Sequence, residues 1–127
     1  MKIVLIRHLA PSIATGICYG RLDVAADPAT ADQIAGLAAK PTLVGATRVW
    51  TSPARRCRAL AHALALTLRA RQVVDARLQE LDFGAWEGKS WDTIPLAALD
   101  RWAASPVGSV TMVACPVRPL PAWQSGG

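Results

Sequence analysis

Apolar positions along this chain alternate between short continuous runs and stripes at helical spacing, with loops of small residues between them. Ile3 to Ile6 is an unbroken apolar run ending at Arg7-His8, the pattern of a strand buried on both faces. A loop rich in proline, glycine and small residues follows from Leu9 to Ala26. Asp27-Pro28 then reads as an N-cap and first-turn proline, opening a helix whose apolar positions are Ile34, Leu37 and Ala38 and which stops at Pro41. Val49-Trp50 predicts a second short strand. Ser52-Pro53 predicts another capped helix, with Cys57, Leu60, Ala61, Leu64 and Leu68 on its buried stripe. Val73-Val74 predicts a third strand, and Asp92 is placed to cap a last helix carrying Ile94, Ala98, Leu99 and Trp102.

Strands alternating with helices give an α/β class: a three-layer sandwich with a mostly parallel sheet, ending after the third strand and the helix that follows it. The pattern then changes. Beyond Arg101 there is no Asp or Glu, and four of the nine prolines lie between Pro106 and Pro121. The division expected is therefore a domain part over residues 1–105 and an irregular or disordered tail over 106–127.

Composition narrows the function classes. Hydrophobic residues make up 52% and charged ones 18% of the 127, which excludes a disordered composition. No apolar run approaches the roughly 20 residues that span a bilayer, and the start turns polar too soon for a signal peptide. Cys18, Cys57 and Cys115 are odd in number and lack CxxC spacing, so neither a disulfide framework nor a metal site is expected, and a reducing cytoplasm is the default. The net charge of +5 comes from scattered arginines rather than Lys/Arg clusters interleaved with aromatics. That argues for a pocket holding a small anion, with no nucleic-acid or membrane partner. Oligomeric state is not legible.

Four segments carry candidate chemistry. Arg7-His8 stands at the carboxyl end of the first expected strand, the edge where ligands bind in open parallel sheets. A neutral imidazole nitrogen there can attack phosphorus, and an arginine offers a planar fork matched to phosphate oxygens. Arg56 follows Ser52-Pro53 and falls in a first helical turn, where free N–H groups and the helix dipole favour an anion. Glu80 and Glu87 are the only glutamates, both inside Leu78-Gln79-Glu80-Leu81-Asp82-Phe83-Gly84-Ala85-Trp86-Glu87-Gly88. A carboxylic acid against an apolar wall can keep its proton for a leaving alkoxide, and Phe83 and Trp86 are placed to be that wall for Glu80. The fourth segment is Cys18-Tyr19-Gly20-Arg21-Leu22-Asp23.

The order Arg-His, Ser-Pro-x-x-Arg, then Leu-x-Glu-x-x-Phe-Gly-x-Trp-Glu-Gly resembles the histidine phosphatase superfamily, which includes the phosphoglycerate mutases. Cys18 to Asp23 and Arg56-Cys57-Arg58-Ala59-Leu60-Ala61 look most like its α-ribazole phosphatase branch, in cobalamin biosynthesis. The resemblance runs from Met1 to about Ala104. It implies a phosphomonoesterase working through a phosphohistidine: His8 as nucleophile, Glu80 as proton donor, Arg7 and Arg56 on the phosphate, Tyr19 and Arg21 on a small phosphorylated substrate. It also implies no metal and no organic cofactor. Two departures stand out. Leu9 replaces the glycine that commonly follows Arg-His, and the family's second histidine has no counterpart, because His62 shares a helix face with Arg55, Arg58 and Arg69. The family's second half is thus expected to be missing. A truncated member without enzymatic role and a small basic binding module are the alternative readings.

Overall fold

The computed structural model describes residues 2–104; the expectations for 106–127, and for Cys115, lie outside the described residues. Asp27 opens the first helical region as its sequence suggests, its Oδ1 accepting the Ala29 N–H at 2.9 Å. One turn of 3-10 helix, Pro28–Thr30, leads into helix α1 (Ala31–Ala38). Strand β1 (Arg48–Thr51) runs into helix α2 (Arg55–Leu68), which returns the chain to strand β2 (Arg71–Val74). The two strands pair in parallel, Arg48 opposite Arg71 and Trp50 opposite Val73. A strand–helix–strand crossover with a parallel pair is the α/β class expected from the alternation. Beyond β2 come three single 3-10 turns, Ala76–Leu78, Gly84–Trp86 and Trp91–Thr93, and then helix α3 (Leu96–Ala104).

Among the described residues the sheet has two strands, not three. Ile3 to Ile6 is not a strand and is not buried: Ile3 is 72% and Leu5 85% exposed. The physical reason is pairing. A strand is held by neighbours that take its N–H and C=O groups, and β1 and β2 pair with each other while no described strand lies beside residues 3–6. An apolar run is a burial preference that needs a partner to act on.

The core forms between helices. Leu60 and Leu64 of α2 pack with Ala38 of α1 and with Leu43, and Leu9, Ile34, Leu37 and Leu68 close around them. Leu60, Ala61 and Leu64 are buried as the stripe predicts, whereas Cys57 is only half-buried. Helix α2 begins two residues later than the Ser-Pro signature suggests. Ala54 is the cap position, and the Ser52 hydroxyl accepts the Ala54 N–H at 3.2 Å. It ends at Arg69, whose φ of 53° is left-handed, a conformation that lets the Ala70 N–H reach the Ala65 carbonyl at 2.9 Å. The last helix also starts later than expected. Ser90, not Asp92, supplies the cap, to the Trp91–Thr93 turn, and α3 begins only after Pro95. An aromatic group ties this end down, Phe83 lying 5.4 Å from Trp91 and 5.8 Å from Trp102.

Candidate active site

Two loops, 16–22 and 83–91, lie side by side, and the first brings Gly20 and Arg21 to the site. Cys18 donates its N–H to the Lys89 carbonyl at 2.7 Å and accepts from the Gly88 N–H at 2.8 Å, while the Trp91 N–H reaches the Gly16 carbonyl at 2.9 Å. Burial followed by the nearby Glu87 charge pushes the Cys18 thiol up to about 11, so Cys18 stays protonated and packs as a small apolar residue.

The Glu87 carboxylate organises both loops. Its Oε1 accepts the N–H groups of Gly20 (3.1 Å), Arg21 (2.9 Å) and Phe83 (3.1 Å), and its Oε2 those of Gly20 and Leu22, each at 3.0 Å. Partial burial pushes this carboxyl up, but the N–H bonds from Gly20, Phe83, Leu22 and Arg21 outweigh it and leave the pKa below the usual value. Gly20 has no room for a side chain, since a Cβ there would lie 1.9 Å from the Leu81 carbonyl oxygen.

On its other side the loop meets Arg56. This side chain, 2% exposed in the first turn of α2, donates from Nη2 to the Gly20 carbonyl at 2.8 Å and from Nη1 to the Leu22 carbonyl at 3.0 Å. Its Nε–H is buried with no partner among the described residues, a donor that costs about 1–3 kcal/mol to leave unpaired. The guanidinium carbon sits 5.0 Å from the centre of the Tyr19 ring, a cation–π distance. Tyr19 in turn meets the half-buried His8 ring edge-on at 6.3 Å. The His8 Nδ1 lies 2.7 Å from the Leu9 carbonyl oxygen. A carbonyl only accepts, so Nδ1 carries the proton, and in the neutral ring Nε2 keeps its lone pair.

The remaining candidates divide. Arg21 and Glu80 meet directly, Arg21 Nε donating to the Glu80 carbonyl at 2.8 Å, and both line a cleft of about 180 Å³ with Gly20, Asp23, Ser52 and Gln79. Gly20 joins this cleft to Arg56. His8 does not line it, and Arg7 is exposed with no hydrogen bond or ion pair among the described residues. Neither Phe83 nor Trp86 lines the cleft, and the Glu80 side chain is exposed, so the apolar wall expected for Glu80 is not formed. The donors expected to be free at the start of α2 are partly taken as well: Asp23 Oδ1 holds the Arg55 N–H at 2.7 Å and Ser52 the Ala54 N–H. His62 is exposed and lines a separate groove of about 360 Å³ with Arg55, Arg58 and Gln72. No cluster of three or more His, Cys, Asp or Glu suited to a metal ion occurs among the described residues, and no described helix is long and apolar enough to cross a membrane.

Glu87 is the residue that reasoning from sequence passed over. The sequence offered only its rarity, as one of two glutamates, and its place beside Gly88; nothing in it names the backbone N–H groups that the carboxylate takes.

The model of the histidine phosphatase superfamily (branch 1) matches residues 3–111. The chain belongs to that superfamily. A relative named putative phosphoserine phosphatase 2, from Hydrogenobacter thermophilus (strain DSM 6534 / IAM 12695 / TK-6), is 32% identical over 110 residues, covering 84% of this chain and 54% of the relative. The chain thus spans about half the length of this curated relative. Among solved structures, the mycobacterial glucosyl-3-phosphoglycerate phosphatase in complex with VO3 superimposes with a TM-score of 0.62 at 22% identity, over 80% of this chain and 47% of that one. The native form of the same enzyme gives 0.54 at 23%, over 78% and 44%. These likenesses show that the described region shares its fold with somewhat less than half of the glucosyl-3-phosphoglycerate phosphatase chain.

Proposed function

We propose that this chain carries the nucleophile-bearing part of a phosphomonoesterase site acting on a small phosphorylated metabolite. The His8 Nε2 lone pair attacks phosphorus, an N–P bond forms, and the P–O bond to the leaving alkoxide breaks. Glu80 gives the alkoxide its proton. Water then attacks the phosphohistidine, the N–P bond breaks, the proton returns to Glu80, and phosphate leaves. Arg56 and Arg7 hold the phosphoryl oxygens, while Tyr19 and Arg21 face the rest of the substrate. The observation that carries this reading is the His8 Nδ1 contact with the Leu9 carbonyl, which keeps Nε2 a nucleophile on the ring that Tyr19 links to Arg56. The Arg56 guanidinium, held by two neutral carbonyls and paired with no carboxylate among the described residues, supports an anion as its partner. No metal or organic cofactor enters these steps.

Within the superfamily we assign the substrate to α-ribazole phosphate, on the pattern of Cys18 to Asp23 and Arg56 to Ala61, in a reducing cytoplasm. The 32%-identical relative named as a phosphoserine phosphatase supplies the competing substrate, O-phosphoserine. The test compares hydrolysis of both esters and of p-nitrophenyl phosphate by wild type, His8→Ala, Arg56→Ala and Glu80→Gln. The reading expects His8→Ala to abolish all three activities. It expects Glu80→Gln to slow the alkyl esters by about 10²-fold or more and p-nitrophenyl phosphate far less, because a good leaving group needs no proton. Equal loss on all three substrates would remove Glu80 from the acid role, and faster turnover of phosphoserine would reverse the substrate assignment.

A further inference from the structure

Glu87 belongs to neither the proposed chemistry nor the cleft, yet it is bound more elaborately than any of the candidates. Three consecutive N–H groups, those of Gly20, Arg21 and Leu22, converge on its carboxylate, a concave nest of donors of the kind that holds anions. With these N–H groups turned toward Glu87, the Gly20 and Leu22 carbonyls are presented to Arg56, where they accept from both ends of the guanidinium.

The charge arrangement is as informative as the geometry. No carboxylate pairs with Arg56 among the described residues, where the one ion pair is Arg77 with Asp75. Neutral carbonyls fix the orientation of the Arg56 guanidinium and leave its charge uncancelled, while the negative charge of Glu87 is spent on backbone N–H groups. A carboxylate placed directly on Arg56 would have oriented it equally well and neutralised it against a phosphate.

We propose that Glu87 is a positioning residue for phosphate capture, acting through the 20–22 backbone on Arg56. The proposal rests on the reading of Arg56 as the phosphate holder. It differs in sign from simple electrostatics. Removing a negative charge near an anion site should tighten phosphate binding, whereas releasing the loop should weaken it.

The experiment measures affinity for inorganic phosphate in wild type, Glu87→Gln, Arg56→Ala and the double variant, with folding checked by thermal melts. In parallel, the Arg56 Nε–H resonance is followed in arginine-labelled protein. Glu87→Gln puts an NH2 group against N–H donors, so the expected result is phosphate binding weaker by about tenfold or more, within the ~10²-fold that an ångström of misplacement can cost. The Arg56 resonance shifts or broadens, and the double variant binds no worse than Arg56→Ala alone. Unchanged or tighter binding in a folded Glu87→Gln protein overturns the proposal, as does a loss that simply adds in the double variant. Should Glu87→Gln fail to fold, Glu87→Asp keeps the charge and shortens the reach; weaker binding is still expected, and wild-type affinity overturns the proposal. If Arg56→Ala binds phosphate normally, the Arg56 reading itself fails, and with it the link to capture. The resonance would then still report separately whether Glu87 orients the guanidinium.

Discussion

Replacing Gly20 by alanine places a methyl carbon 1.9 Å from the Leu81 carbonyl oxygen and 2.8 Å from the Phe83 ring. Side-chain carbons essentially never approach closer than 3.0 Å, so 3.0 − 1.9 gives about 1.1 Å by which main chain must separate from main chain. A ring can rotate away, but a backbone oxygen cannot. The displaced residue is the one whose N–H bonds Glu87 at 3.0 and 3.1 Å and whose carbonyl holds Arg56 at 2.8 Å. Hydrogen bonds to charged groups contribute about 1.5–3 kcal/mol each. Losing the Glu87 and Arg56 bonds together costs roughly 3–6 kcal/mol, a large share of the 5–15 kcal/mol that holds a typical small protein. The assay is urea unfolding followed by tryptophan fluorescence, with Gly36→Ala as control, since a Cβ at Gly36 meets nothing within 4 Å. A Gly20→Ala protein within about 1 kcal/mol of wild type would refute the close approach and the hub built on it.

Other substitutions probe independent parts of the same frame. Arg69→Gly should raise stability by about 1 kcal/mol, because the left-handed φ of 53° strains any residue with a Cβ; a lower midpoint in the same assay would contradict this. Leu64→Ala, at a 2% exposed position in the core, should cost about 2–5 kcal/mol by denaturant titration, and a cost under 1 kcal/mol would mean the helix interface is misassigned. The depressed pKa of Glu87 gives stability that is full above the ordinary glutamate range and is lost as pH falls through the lower folded value. Glu87→Gln should therefore flatten the acid limb of the stability–pH profile, and an unchanged limb would show that the carboxylate is not held as described.

Local signals in the sequence proved readable where they act over a few residues. Asp27-Pro28 caps its turn, the α2 stripe at Leu60, Ala61 and Leu64 is buried, and Arg56 falls in a first helical turn. Signals that depend on a distant partner did not carry over. Ile3 to Ile6 has the composition of a buried strand, but burial needs a neighbour that no local pattern supplies. Ser52 and Asp92 are cap-type residues displaced by a residue or two, since a cap is decided by which N–H points back, not by residue type alone. Glu87 was opaque for a related reason: apart from the Phe83 N–H, its partners are backbone N–H groups of Gly20 to Leu22, more than sixty positions away, and backbone donors leave no trace in side-chain identity.

In the proposed mechanism His8 Nε2 is the atom that takes up phosphorus. Protein incubated with p-nitrophenyl phosphate and stopped in alkali, where N–P bonds survive, can be digested and mapped by mass spectrometry, with the isomer fixed by phosphorus NMR. One phosphoryl group is expected on the His8 peptide, attached at Nε2, absent from His8→Ala and unaffected by His62→Ala. A phosphoryl group on Nδ1, on His62, or on no histidine in a protein that still hydrolyses the ester would contradict it.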